Sequence, residues 1–235
     1  MTADTASVSS SSSNGSSPRQ NSHQRQQPKR HPIREVEALS EEQLQQYVAL
    51  DCEMIGVGEN GRYSALARVT IIDWYGNILM DDLVKQEQEV TDYRTFVSGI
   101  TPDMLAEAQM DLPTCRQKVL DLLEGKVLIG HGLKNDLRVL NITHPWYMTR
   151  DTAKYEPFMK VRFEDGILWP RALKDLCHEK LHREMQVYGK PHCPVEDALA
   201  ALDLYRSVRC KWEKAMEYKI NKTRDIEARK LQQKE

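Results

Sequence analysis

The sequence predicts an α/β domain in which a mixed β-sheet is flanked by α-helices. Three strand-like segments come early in the chain, and short apolar strands then alternate with helical patterns. The 235 residues suffice for one domain with tails, and a hydrophobic content of 40% is ordinary for a protein with a packed core. No apolar stretch approaches the about 18 residues of a membrane span, so we expect no membrane insertion.

Local signals mark the first elements. Ser40–Gln43 has the spacing of a capping box and predicts the start of a short helix. In Tyr47–Glu53 the side chains alternate between an apolar face and a second face that carries carboxylates, which predicts a strand. Ala65–Trp74 is rich in β-branched residues and predicts a second strand. A glycine-containing turn then predicts a hairpin between this strand and Ile78–Val84.

Helices and strands alternate in the rest of the chain. Thr101 before Pro102 is typical of a helix start, and the last helix carries an apolar stripe at helical spacing. The further predicted elements, in chain order, are helix Pro113–Leu123, strand Val127–Gly130, helix Lys134–Leu140, strand Trp146–Asp151, helix Trp169–Leu181 and a helix from Val195 to about Tyr218. This order favours a sheet covered by helices.

Charge is distributed unevenly along the chain. Residues 1–34 are rich in serine and carry five basic residues against one acidic residue, whereas residues 206–235 carry ten against five. The segment between them has a net charge of −11. We therefore predict a disordered, basic and Ser-rich tail over residues 1–39, a folded domain over 40–210 and a charged helical extension over 211–235. Basic tails suggest an anionic partner.

Cysteine usage and the N-terminus favour a reducing compartment. The five cysteines are widely scattered and form no C-x-x-C pair, so neither a disulfide framework nor a structural zinc site is expected. The N-terminus has no apolar segment of the kind found in secretory signals, so we expect no such signal.

Two carboxylates stand out on the first predicted strand. Asp51 and Glu53 are two residues apart, so their side chains point in the same direction. Adjacent like charges at a largely buried strand end are unfavourable unless a cation compensates them. Alternatively, the strand end emerges into water and both carboxylates are solvated.

Three further residues could join this pair. Asp136 follows a glycine-flanked turn and lies in the first turn of a predicted helix, and Asp197 lies in the first turn of the last helix. Either acid could simply interact favourably with the helix dipole. His192 precedes the last helix in a loop, from which it could reach the space in front of that helix's first turn; alternatively it is a surface histidine.

Together and in this order, these residues resemble the DEDDh family of 3′→5′ exonucleases, and within it the RNA exonuclease 4 group. The resemblance covers roughly residues 47–210 and implies a ribonuclease H-like fold. The resembling stretches are Ala49–Met54, Thr91–Thr95, Val97–Pro102, Gly130–His131 with Asn135–Asp136, Arg150–Tyr155 and Val195–Ala198.

The resemblance also implies a catalytic centre. Two divalent cations about 4 Å apart, Mg²⁺ or Mn²⁺, can activate a water and stabilise the charge that develops during phosphodiester cleavage. Carboxylate oxygens are ligands suited to these ions. By the resemblance, Asp51, Glu53 and Asp197 bind metal directly, and Asp136 assists the second ion. His192 is then the general base, a role that suits a side chain which titrates near neutral pH.

Four residues are expected at the substrate. In relatives, the positions of Met54 and Arg94 sandwich the terminal base, and a thioether and a guanidinium can do so without reading base identity. Alternatively, Met54 belongs to the core and Arg94 forms a surface ion pair. The positions of His131 and Asn135 lie near the ribose in relatives, some of which carry histidine in place of Asn135.

The leading interpretation is a metal-dependent 3′→5′ exoribonuclease that releases 5′-mononucleotides by two-metal hydrolysis. The resemblance implies a role in ribosomal RNA processing. One alternative is a 3′→5′ exonuclease for single-stranded DNA, and another is a nuclear RNA-binding protein with a dormant nuclease fold. The expected partner is the 3′ end of single-stranded RNA, or of DNA in the alternative, and we expect a monomer that does not associate with membranes.

The basic residues between positions 25 and 34 fit a nuclear localisation signal or an RNA-binding arm. We therefore expect a nuclear location, with the nucleolus as the narrower alternative.

Overall fold

A six-stranded mixed sheet is packed between helices in the computed structural model, which describes residues 39–186 and 192–232. Its strands are β1 (Tyr47–Val57), β2 (Tyr63–Asp73), β3 (Ile78–Leu83), β4 (Val90–Asp92), β5 (Val127–Gly130) and β6 (Thr149–Asp151). They are ordered β3-β2-β1-β5-β6, and β4 pairs with the far end of β1. β1 is antiparallel to β2 and β4 but parallel to β5, which is parallel to β6. The predicted α/β fold is confirmed.

The central strand β1 is longer than predicted and continues four residues past Glu53. The extension pairs with β2 on one edge and with β4 on the other. Gly56 permits this close approach, because a Cβ atom there would lie 2.8 Å from the Cα atom of Gly61. The register with β2 shifts between Glu53 and Met54, and such bulges change the direction in which side chains point.

Seven α-helices occur in the described residues. They are α1 (Glu41–Leu44), α2 (Thr95–Ser98), α3 (Pro102–Ala106), α4 (Leu112–Leu123), α5 (Lys134–Leu140), α6 (Leu173–Leu176) and α7 (Pro194–Gln232). The predicted capping box at Ser40 is present, and Thr101 caps α3 through its side chain, as expected. Neither α2 nor β4 was predicted.

Helices cover both faces of the sheet. On one face, Val48 and Leu50 of β1 pack with Cys115 and Val119 of α4. On the other face, neighbouring residues of β1 pack against α7. This second cluster consists of Tyr47, Ala49, Ile72, Ile129, Ala198, Leu202, Tyr205, Trp212 and Met216. The alternation predicted for β1 therefore separates two cores, as a strand that is buried on both sides requires.

Two predicted elements are wrong at their N-terminal ends. Residues Trp146–Met148 form a 3₁₀ turn rather than a strand, and Met148 N–H donates to the carbonyl of Pro145. Trp169 lies in a strand, β8 (Leu168–Trp169), which pairs with β7 (Lys160–Val161) in a separate hairpin. The helix predicted from Trp169 begins only at Leu173, after Pro170, and continues from Cys177 to Leu181 as a π-helix.

The last helix, predicted from Val195 to about Tyr218, continues to Gln232 within the segment 211–235, for which a charged helical extension was predicted. It crosses residue 210 without a break, and its residues Trp212 and Met216 are buried in the core. Arg150 forms a bidentate ion pair with Glu213, with both nitrogen–oxygen distances at 2.7 Å. The boundaries at residues 40 and 210 stay predictions, and the tail predicted over residues 1–39 lies, except for Leu39, outside the described residues.

Within the described ranges, no helix combines the length and the apolar character needed to cross a bilayer. All five cysteines carry free thiols, and Cys52, Cys115 and Cys177 are buried.

Candidate active site

Asp51 and Glu53 follow the parallel part of β1. Pairing with β5 ends at Ala49, opposite Ile129, so Asp51 lies just past the carboxyl end of this parallel pair. Both carboxylates share the strand face of Tyr47 and Ala49, which α7 covers. Crevices at the carboxyl ends of parallel strands are common binding sites in α/β proteins.

A tight turn brings Asp136 to this strand. A Cβ atom at Gly130 would lie 2.4 Å from the Leu133 side chain and 2.9 Å from the Leu50 carbonyl oxygen, so only glycine allows the chain to turn this close to β1. The turn leads into α5, and Asp136 in its first turn is buried. Its Oδ1 accepts a hydrogen bond of 3.1 Å from the Cys52 backbone N–H, which orients the carboxylate beside Asp51 and Glu53.

Asp197 and His192 reach the site from α7 and from the segment just before it. Asp197 is buried in the first turn of α7, and the Nδ1 atom of His192 is 3.5 Å from its Oδ2. The backbone N–H of His192 donates to the Val97 carbonyl at 2.9 Å, which ties this segment to α2. One ligand atom each from Glu53, His192 and Asp197 lie within 4.8 Å of one another. The structure therefore brings the predicted catalytic residues to one place.

Burial and nearby negative charge raise the pKa of each of the four carboxylates. Desolvation is the largest cause at Asp51, whose pKa lies well above its usual range, and the charges of Asp136, Asp197 and Glu53 add to it. Desolvation, followed by the charge of Asp197, raises the pKa of Glu53 to about 8. Desolvation raises the pKa of Asp136 to about 7, although the Cys52 hydrogen bond opposes the shift.

Desolvation also raises the pKa of Asp197. The hydrogen bond from Gln186 and the charge of the nearby His192 act in the opposite direction and lower this pKa. These groups cannot all be ionised at low cost without a compensating positive charge.

The donor set fits divalent cations. Carboxylate oxygens are hard ligands, and Asp197 Oδ1 is buried with no hydrogen-bond partner among the described residues. A buried, unpartnered carboxylate oxygen is unfavourable unless it binds something. A cation would satisfy this oxygen and favour ionisation of the neighbouring acids.

The raised pKa values predict how the stability of the metal-free protein depends on pH. In the folded protein, Glu53 stays protonated up to about pH 8 and Asp136 up to about pH 7. In the unfolded chain, Glu53 releases its proton near its ordinary pKa of 4.5 and Asp136 near 3.8. The folded state thus binds more protons, and its stability should fall as pH rises through this window. In EDTA, we expect a loss of roughly 1–3 kcal/mol between about pH 6 and about pH 8.5.

Thermal unfolding of the wild type and Glu53→Gln over this pH range checks the prediction. Glu53→Gln should flatten the profile, while Glu87→Gln, at an exposed glutamate, should leave it unchanged. A wild-type melting temperature that rises with pH would contradict the assignment of mutually repelling carboxylates.

The two residues predicted at the terminal base lie on adjacent segments. Met54 is half-buried at the bulge that follows Glu53 and packs at the edge of the core. Arg94 has a positive φ of 49°, and its guanidinium donates to Ser64 Oγ and the Gly61 carbonyl, both at 2.9 Å. Arg94 is therefore held against the β1–β2 connection, and base stacking between Met54 and Arg94 stays a prediction.

Of the two residues predicted at the ribose, His131 has the better-defined side-chain orientation. Its Nδ1 is 2.9 Å from Thr152 Oγ1, and this hydroxyl itself donates to the Gly130 carbonyl, so we assign a proton to Nδ1. Burial lowers the pKa of His131. Asn135 is exposed, and its Oδ1 accepts from Arg138 at 3.2 Å. Contact of either residue with a ribose stays a prediction.

Two polar residues beside the site, Asp151 and Arg68, were not predicted as site residues. Asp151 is buried at the end of β6, and its Oδ1 accepts hydrogen bonds from the Gly132 and Ala153 backbone N–H groups. It thereby fixes the turn that carries His131. Arg68 faces Glu53 across β1 and β2, where its charge lowers the pKa of Glu53 against the larger effect of burial. Only the cross-strand register, which a single sequence does not show, identifies Arg68.

The fold and the grouped acidic residues define a ribonuclease H-like nuclease domain. The chain belongs to the exonuclease (RNase T) family, whose model matches residues 48–205. The predicted family resemblance is thereby confirmed, as is the prediction of an enzyme of the exonuclease class.

Curated relatives carry related names. The chain is 44% identical over 170 residues to RNA exonuclease 4 of Homo sapiens, covering 72% of this chain and 39% of the relative. It is 43% identical over 169 residues to the human apoptosis-enhancing nuclease, covering 71% and 50%. RNA exonuclease 4 of Saccharomyces cerevisiae is 36% identical over 179 residues, covering 76% and 60%. The chain thus spans about half the length of these relatives.

Solved structures support the fold. The Pan2 catalytic unit of Neurospora crassa superposes with a TM-score of 0.59 at 28% identity, covering 81% of this chain and 30% of that one. The Saccharomyces cerevisiae Pan2 exonuclease module in complex with AAGGA RNA superposes with a TM-score of 0.61 at 28% identity, covering 80% and 34%. The predicted ribonuclease H-like architecture is therefore confirmed.

Proposed function

We propose that this protein is a metal-dependent 3′→5′ exoribonuclease that releases 5′-mononucleotides. The observation that carries the proposal is the cluster of four carboxylates beside His192, each of which has a raised pKa. Such a cluster is costly for a protein that does not bind cations there. The family match supports exonuclease chemistry at this site.

Asp51, Glu53, Asp136 and Asp197 are the proposed ligands for two divalent cations, Mg²⁺ or Mn²⁺. When bound, such ions supply electrostatic stabilisation of the negative charge that develops on the phosphate and the leaving oxygen. The protein contributes the orientation of these ligands, because Cys52 N–H holds Asp136 and the first turn of α7 holds Asp197.

His192 is the proposed general base. Its Nδ1 faces Asp197, an arrangement in which a carboxylate orients the ring and leaves the other nitrogen for the attacking water. Met54 and Arg94 would flank the terminal base, and His131 and Asn135 would lie near its ribose. These roles rest on the resemblance to the family.

RNA is the proposed substrate class, and a single-stranded 3′ end is the proposed site of attack. Two relatives are named RNA exonuclease 4, and a structural neighbour was solved with RNA. DNA stays the second candidate, because the human apoptosis-enhancing nuclease, at 43% identity, has a name that does not specify RNA. We further propose a monomer in the nucleus that acts in ribosomal RNA processing, a role that rests on the family resemblance and on the basic residues 25–34.

The decisive assay compares RNA and DNA of one sequence, each labelled at its 5′ end, with Mn²⁺, Mg²⁺ or EDTA. We expect stepwise shortening of the RNA from its 3′ end in Mn²⁺ or Mg²⁺ and none in EDTA. Faster shortening of the DNA would favour the second candidate. Tight RNA binding without hydrolysis in any metal would favour a dormant nuclease fold.

A circular RNA of the same sequence tests the direction of attack. A site built around a terminal nucleotide requires a free 3′-hydroxyl, so the circle should persist while the linear RNA is degraded to 5′-monophosphates. Chromatography of the products identifies the phosphate position. Rapid cleavage of the circle would show endonuclease activity instead.

A further inference from the structure

Gln186 lies directly against a proposed metal ligand. Its Nε2 donates a hydrogen bond of 2.8 Å to Asp197 Oδ2, and the Asp197 carboxylate is buried. The other oxygen, Oδ1, has no partner among the described residues. The hydrogen bond therefore fixes the rotation of the carboxylate and leaves one oxygen available for a cation.

The chain around Gln186 is anchored to α7. Met185 is buried against Ala200 and Leu204, one to two turns after Asp197. Arg183 donates to Asp203 Oδ2 at 3.0 Å. Gln186 itself has a left-handed backbone with φ 50°, which is uncommon for residues other than glycine and requires a well-defined surrounding structure. These anchors hold the amide against the first turn of the same helix that carries Asp197.

The uncharged amide of Gln186 is a suitable hydrogen-bond donor for a carboxylate that binds a metal. An amide N–H orients a carboxylate without adding positive charge that would compete with the bound cation, as lysine or arginine would. Asp136 has the same kind of partner, because its Oδ1 accepts a hydrogen bond from the uncharged backbone N–H of Cys52. Both proposed ligands that come from helices thus accept a hydrogen bond from an uncharged donor.

We propose that Gln186 is a positioning residue that presents Asp197 to a divalent cation. This inference rests on the proposed function, because it requires that Asp197 binds metal. Outer hydrogen-bond partners of metal ligands typically contribute 10–100-fold to metal affinity. The Gln186 side chain needs no contact with the substrate for this role.

The test measures Mn²⁺ binding directly, by titration of the full-length protein without nucleic acid. Gln186→Met keeps the length of the side chain and removes the donor, and we expect its Kd for Mn²⁺ to rise about 10–100-fold. The matched control is Gln117→Met, because Gln117 donates an equivalent 2.8 Å hydrogen bond to Asp121 on an exposed helix face. That control should bind Mn²⁺ like the wild type.

Nuclease rates at increasing Mn²⁺ provide a second measurement. The rate of Gln186→Met should approach that of the wild type once Mn²⁺ is saturating, whereas loss of a catalytic group would lower the rate at every concentration. If the methionine variant fails to fold, Gln186→Ala takes its place.

Three results would overturn the inference. An Mn²⁺ affinity of folded Gln186→Met within twofold of the wild type would do so while leaving the proposed function intact. An equal loss of affinity in Gln117→Met would show a non-specific effect. Absence of Mn²⁺ binding in the wild type would remove the metal site itself, and the inference with it.

Discussion

Asp51→Asn should reduce the rate of phosphodiester cleavage by about 10³-fold or more while the protein stays folded. Asp51 is central to the acidic cluster, since Asp136, Asp197 and Glu53 all raise its pKa. An amide supplies one weak oxygen ligand in place of an anionic carboxylate, so the variant should lose cations that the other three acids cannot hold alone. A loss of about 4 kcal/mol in transition-state stabilisation corresponds to this rate change.

The same substitution should not destabilise the metal-free protein. A raised carboxylate pKa means that the ionised form is unfavourable in the folded state, and the asparagine removes that charge. We therefore expect the melting temperature of Asp51→Asn in EDTA at about pH 8 to equal or exceed that of the wild type. Loss of activity together with undiminished stability distinguishes a functional residue from a structural one.

Asp73→Asn is the matched control. Asp73 lies at the opposite end of the same sheet, where its carboxylate accepts hydrogen bonds from the Tyr75 and Asn77 backbone N–H groups. An asparagine can accept these bonds, so activity should be unchanged. Single-turnover rates with saturating RNA and Mn²⁺ provide the comparison. A folded Asp51→Asn protein with near-wild-type rates would refute the assignment of the metal site.

The parts of the fold that depend on neighbours in sequence could be predicted. The alternation in β1, the hairpin between β2 and β3, and the cap at Thr101 each follow from a few adjacent residues. Strand β5 and helix α5 were predicted with their observed bounds, because Val127–Gly130 is a short apolar run and the glycine-containing turn after it marks the start of Lys134–Leu140.

Elements decided by distant contacts could not be predicted in this way. Trp169 has the surroundings of a helix start in sequence, yet it pairs with Lys160 in a hairpin and lies under the Arg162 guanidinium. Trp212 of α7 stacks on Tyr155 at 4.2 Å, although the two residues are far apart in the sequence. Nothing near either residue in sequence shows these partners.

The same distinction applies to the site. The identity of the acids could be predicted, because their order along the chain resembles a known family. Their orientation could not, since it depends on the Cys52 N–H at Asp136 and on Gln186 at Asp197. In the sequence, Asp151 was identified only as part of the stretch Arg150–Tyr155 that resembles the family. Its role in fixing the turn at Gly132 could be recognised only from the structure.

His192→Ala should lower the single-turnover rate by about 10²–10⁴-fold, the usual contribution of a positioned general base. The imidazole must be neutral to accept a proton from the attacking water, so the wild-type rate should fall as the pH is lowered. The alanine variant should lack this step in its pH profile. Mn²⁺ binding should change little, because the four carboxylates remain. The control is His144→Ala, since His144 bonds to the Lys126 carbonyl outside the active site.

The competing explanation is that His192 has a structural role, because its backbone N–H already joins the loop to α2 through Val97. That hydrogen bond survives in His192→Ala, so a purely structural role predicts little loss of rate. A base predicts instead a large loss, with a wild-type rate that levels off at high pH and a variant rate that continues to rise there, since hydroxide from solvent increasingly replaces the missing imidazole. Rates of both proteins across the pH range at saturating Mn²⁺ separate the two explanations. Parallel profiles within a few-fold of each other would remove His192 from the mechanism and leave the carboxylates as the source of catalysis.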